Sequence, residues 1–111
     1  MNRIYLQIID NPFEDLVYSE TSYDEGATNH ALAEELQTSF DIQYPNMVHV
    51  EYIDLFLEDE SRFPEIREML SHGLLRLPVI LINGNPFLHG GISYQIIMEE
   101  VEKILSAGPL H

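Results

Sequence analysis

The chain has 111 residues, 45% hydrophobic and 22% charged, which gives one domain with a real core and excludes a disordered or low-complexity polymer. Its formal net charge is -14, from 19 acidic residues against five Lys and Arg. With no cysteine, disulfides, thiolate metal sites, CxxC redox chemistry and cysteine nucleophiles are all excluded.

The charge is unevenly placed, since the segment from Ile4 to Ser61 holds 14 acids and no Lys or Arg. Binding to phosphate releases counterions through Lys and Arg, so so few bases on so acidic a chain argue against nucleic acid and against an anionic membrane surface. A solvated acidic face is the simplest reading of this excess, and a basic protein or peptide is the partner it would favour. The longest apolar run, Leu77 to Ile82, falls far short of the roughly 20 residues of a membrane span. No basic leader precedes an apolar segment at the amino end, so the expected location is the cytosol.

In chain order, Arg3 to Ile9 is a β-branched and aromatic run closed by Asp10-Asn11-Pro12, which predicts a buried first strand. Residues 11 to 27 then form a long acidic loop containing Tyr18 and Tyr23, aromatics that either serve an interface or fold back onto the core. From Thr28, a predicted N-cap, Ala31, Leu32, Leu36 and Phe40 recur at helical spacing, with Glu34, Glu35 and Gln37 facing outward. Tyr44-Pro45-Asn46 ends that helix. Val48 to Leu55 reads as a second strand, and Pro64 opens a helix carrying Ile66, Met69 and Leu70 that stops at Gly73. Pro78 to Ile82 is a third strand, Asn83-Gly84 a hairpin turn, and Pro86 to His89 a short edge strand. After Gly90-Gly91, Tyr94, Ile97, Val101, Ile104 and Leu105 predict a last helix ending near Gly108-Pro109. The expected fold is therefore α/β, in the order β-α-β-α-β-β-α, with helices on both faces of a four-stranded mixed sheet.

The run from Gly73 through Arg76-Leu77-Pro78 and Asn83-Gly84 to Gly90-Gly91 and a closing helix resembles the carboxyl half of thioredoxins and glutaredoxins over residues 73 to 106. Tyr44-Pro45-Asn46, Tyr52-Ile53-Asp54 and Leu77-Pro78 through Gly90 extend the likeness to the small bacterial YuzD-like group, labelled putative disulfide oxidoreductases. The resemblance implies a thioredoxin-like fold, a cis bond before Pro78, and a backbone at Arg76 and Leu77 that pairs with an extended peptide. It fails where relatives carry CxxC. Counting back from Thr28 places that pair near Glu20 and Tyr23, whereas counting forward from the first strand places it at Asn11 to Glu14, and either alignment lacks a thiol. Disulfide exchange needs a thiolate, so only the binding half of the machinery can survive.

The other candidates are weaker. None of the five histidines forms a His-x-x-x-His pair, and no calcium loop is present, so no metal or cofactor is expected. His30, His72 and His111 read as exposed, His49 as hydrogen-bonded on its strand, and His89 as part of the turn before Gly90. The acidic pairs Glu34-Glu35 and Glu99-Glu100 diverge on their helices, and no serine has a nucleophile-elbow context. The residues that carry the leading expectation are Tyr23, Arg76, Leu77 and Pro78: a non-catalytic module for a protein or peptide partner. A homodimer built on the acidic loop or a sheet edge is the alternative, and a carboxylate and histidine metal enzyme ranks third.

Overall fold

Four strands and three helices make up the described residues, 3–11 and 28–107 of this computed structural model. The loop of residues 12–27 with Tyr18 and Tyr23, the stop at Gly108-Pro109 and His111 lie outside the described residues. Strand β1 (Ile4–Asp10) pairs in parallel with β2 (Val48–Asp54) and antiparallel with β3 (Val79–Ile82), and β3 pairs antiparallel with β4 (Asn85–His89). The strand order is β2-β1-β3-β4, so β1 is an inner strand with both backbone edges in the ladder. Its apolar residues suit that position: Ile4, Leu6 and Ile8 face one core and Ile9 the other, while Tyr5 and Gln7 alternate with them. Leu6, Ile8 and Ile9 are fully buried.

The helices form for local reasons. Helix α1 (Asn29–Gln43) starts where Thr28 Oγ1 accepts the Ala31 N–H at 3.1 Å, and its last turn closes at Tyr44, ahead of Pro45. Helix α2 (Pro64–Ser71) has Pro64 in its first turn, where a missing N–H costs nothing. The residue before it, Phe63, takes a left-handed backbone (φ 58), uncommon for an aromatic. That conformation is held from two sides. The Arg62 guanidinium lies 4.6 Å over the Phe63 ring, and Arg67 donates to the carbonyls of Leu55, Asp59 and Arg62. Helix α3 (Tyr94–Ala107) turns Ile97 and Val101 inward.

Two cores result, one on each face of the sheet. Ile4, Leu6 and Ile8 meet Ala33, Leu36 and Phe40 of α1 and Ile97 and Val101 of α3. Ile9, Ile53, Val79 and Leu81 meet Ile66 of α2 and Leu75. Helix α2 has eight residues, about 12 Å of length, so the rest of its face carries Tyr5, Gln7, His49 and Glu51 instead of an apolar layer. The hairpin turn has positive φ at both Asn83 and Gly84, and Asn83 docks it by exchanging two hydrogen bonds with the Tyr5 backbone. Strand β3 begins at Val79, since Pro78 has no N–H to enter the ladder. Gln37 departs from the outward position its helical spacing predicts: it is half-buried, because its amide bonds the backbone of β2. No helix among the described residues is long and apolar enough to cross a membrane.

Phe40 is fully buried where α1 meets the sheet. Phe40→Ala is expected to cost about 3–5 kcal/mol in denaturant unfolding, whereas Ile42→Ala, two residues on and 76% exposed, should stay within about 0.5 kcal/mol of wild type.

Candidate functional site

The carboxyl end of β1 and the amino end of β3 lie side by side, since Ile9 pairs with Val79. This end of the sheet collects Arg76, Leu77 and Pro78 from the β3 entry, His89 and Gly90 from the β4 exit, and Asp10 and Asn11 from β1. Leu75 anchors the approach in the α2-side core, and the Leu77 side chain packs against the same core. Between them Arg76 is exposed, and Pro78 is buried behind a cis Leu77-Pro78 bond.

The backbone here is divided sharply between occupied and open groups. The Gly90 N–H donates to both the Arg76 carbonyl at 2.8 Å and the Pro78 carbonyl at 2.9 Å. Gly90 suits that place because its φ of +80 disfavours any side chain. The Arg76 N–H donates to His89 Nδ1 at 3.2 Å, a role that requires this nitrogen to be unprotonated. Arg76 has both peptide groups tied internally by His89 and Gly90, whereas the Leu77 N–H and carbonyl have no partner among the described residues. The Arg76 side chain, in turn, makes no ion pair with an acid among the described residues.

Features that sequence reasoning missed surround this point. Asp10 reads in the sequence as turn punctuation, yet it is buried, and its Oδ2 accepts the Tyr52 hydroxyl at 2.6 Å and the Asn29 amide at 3.1 Å. It clamps the first turn of α1 to β1 and β2. After β2, Phe56 and Leu57 stand 72% and 82% exposed and line a cavity of about 370 Å³ with Asn11 and Asp54. Adjacent apolar residues among acids were the available signal for that pair. Nothing local in the sequence marks Asp10 or the acceptor role of His89. Tyr23 lies outside the described residues, so its relation to Arg76, Leu77 and Pro78 is not part of this geometry.

The remaining candidates are held in internal contacts. His49 is exposed and stacks on Tyr5 at 5.5 Å; no hydrogen bond of its side chain is found among the described residues. His30 packs its ring on Tyr52 at 4.8 Å and lies 3.6 Å from Glu34. Among the described residues, no three His, Asp or Glu side chains come together in a way that could hold a metal ion. A groove of about 600 Å³ lies at the opposite end of the sheet beside Arg3, Tyr5 and Asn46. On the open half of the α2 face, Glu51 accepts from the Tyr5 hydroxyl and the Gln7 amide and pairs with Arg62, which also binds Glu58. Burial works to raise the Glu51 carboxyl, but the Tyr5 and Gln7 hydrogen bonds and the Arg62 charge outweigh it and hold it below its ordinary value. The hydrogen bond to Glu51 raises the Tyr5 phenol.

No protein-family model matches the chain, and no curated protein is similar to it. Among solved structures, the crystal structure of a protein of unknown function, SA0789 from Staphylococcus aureus, superposes with a TM-score of 0.69 at 17% identity. The match covers 97% of this chain and 96% of that one, and at this identity it shows a shared fold alone.

The Glu51 network has a defined pH signature. A carboxyl held low in the folded state contributes stability that is full above its unfolded value near 4.5 and is lost as pH falls through the lower folded value. Wild type should therefore exceed Glu51→Gln in stability at pH 7, with the gap closing below about pH 4.5. Urea unfolding at a series of pH values measures this, and a gap constant down to about pH 3 would contradict it.

Proposed function

We propose that this chain is a thioredoxin-like, non-catalytic binding protein of the cytosol that holds an extended peptide against Leu77. One observation carries the reading: the Leu77 N–H and carbonyl lack partners among the described residues while the groups on either side are fixed by Gly90 and His89. An extended segment laid beside Leu77 would supply one acceptor and one donor, as in strand addition, without rearranging its neighbours. Because Arg76 and Pro78 are already tied, the open peptide is presented in one orientation and little ordering is required on binding. The exposed Arg76 guanidinium offers a charge-assisted contact to a carboxylate of the same segment. The element and strand order supports the thioredoxin-like part of the reading. The lack of cysteine separates this chain from the redox chemistry of that family, because neither Asp10 nor any other carboxylate can attack sulfur.

The test is selection of random displayed peptides on the full chain, followed by titration of the retained peptides into isotope-labelled protein. The expected result is binding in the micromolar range that shifts the amides of Leu77, His89 and Gly90, with Arg76→Glu and His89→Ala each weakening it by about tenfold. Failure to retain any peptide, or shifts confined to other parts of the sheet, would contradict the proposal.

A further inference from the structure

We infer that Gln37 serves as a stand-in for a fifth strand, occupying the outer edge of β2 and keeping it from pairing with a second copy of this chain. Among the described residues strand β2 ends the sheet on one side, and in such a strand every second residue turns its peptide groups away from the ladder. The Ile4 N–H bonds the Met47 carbonyl, so the groups of Val48 and Val50 are among those facing outward. Both are met by one side chain from α1. Gln37 Nε2 donates to the Val48 carbonyl at 3.0 Å, and Gln37 Oε1 accepts the Val50 N–H at 2.8 Å. A primary amide presents a donor and an acceptor on one planar group, as a peptide unit of a neighbouring strand does. Glutamate would set a carboxylate against a carbonyl, lysine could not accept, and leucine could do neither. The second Nε2 hydrogen goes to Asp41 Oδ1 at 2.9 Å, one helical turn on, which fixes which way round the amide lies.

The partner kept out is another copy of the same edge. Antiparallel self-pairing of β2 centred on Val50 would set His49 of each copy opposite Glu51 of the other, a complementary cross-strand pair on one face of the joined sheet. Beside Gln37 the edge also borders a groove of about 450 Å³ walled by His30, Ala33 and Tyr52, so α1 leaves room along β2. The opposite edge has its own block: β4 carries Pro86, which lacks an N–H, and a register shift opposite Ile80 and Leu81. This inference stands independently of the peptide proposal, since it concerns a different edge and different residues.

The experiment compares wild type, Gln37→Leu, Asp41→Ala and the double variant Gln37→Leu with His49→Glu, by sedimentation over about a hundredfold range of concentration and by residue-resolved hydrogen exchange at the dilute end. Wild type should show no β2-mediated association and a protected Val50 amide. Gln37→Leu should dimerise as concentration rises and, when dilute, exchange Val50 about tenfold faster. Adding His49→Glu, which sets glutamates opposite each other, should abolish that dimer. If Gln37→Leu does not fold, Asp41→Ala leaves Gln37 in place but releases its orientation, and it should speed Val50 exchange by a smaller factor. The inference is overturned if wild type already pairs through β2, if Val50 exchange is unchanged in both single variants, or if the Gln37→Leu protein stays monomeric or forms a dimer indifferent to His49→Glu.

Discussion

Backbone hydrogen bonding around β1 is the constraint on which the rest of this chain depends. The backbone of a strand that runs through the core must have its peptide groups paired, and β1 achieves this by lying between β2 and β3. That placement pushes the problem outward, to the two edges of the sheet and to its ends. On the β2 edge the Gln37 amide takes the Val48 and Val50 groups, and on the β4 edge Pro86 removes a donor. At the end beyond Val79, Gly90 and His89 take the groups of Arg76. The Leu77 peptide is left out of each of these arrangements, and the proposed function rests on that exception.

The polar side chains divide in a similar way. Arg67 is used on the loop after β2, Arg62 on Glu51 and Glu58, and Asp10 on Tyr52 and Asn29. These are internal fasteners, and each ties a segment that carries too few apolar residues to fix itself. Arg76 is different in kind, because it is exposed beside an open peptide group and pairs with no acid among the described residues. On a chain of net charge -14, an exposed cation at the sheet end offers a local contact whose sign opposes the general field. A segment with a carboxylate near Arg76 and basic residues farther away would satisfy both.

Much of this was readable from residues that act on their own neighbours. Thr28 caps α1, Pro64 opens α2, Asn83-Gly84 closes the hairpin and Pro86 sits on an edge strand, all through interactions within a few positions. The position of Leu77 and Pro78 was legible through their resemblance to a family pattern, not through periodicity. What escaped was tertiary. Gln37 looks solvent-facing on its helix because its partners, Val48 and Val50, come from another element. Asp10 and His89 look like turn residues for the same reason: the groups they bind are 42 and 13 positions away. The half-covered α2 face was hidden because alternation in β1 and β2 does not reveal how long the covering helix will be.

The most direct test is the exchange rate of the Leu77 amide proton, read beside those of Arg76 and Gly90 in the unliganded protein. The account predicts that Leu77 exchanges at close to the rate of an unstructured chain while its two neighbours are slowed by about a hundredfold or more. A Leu77 amide as well protected as those of Arg76 and Gly90 would mean that its peptide group is already paired, and would leave no open backbone for a partner to meet.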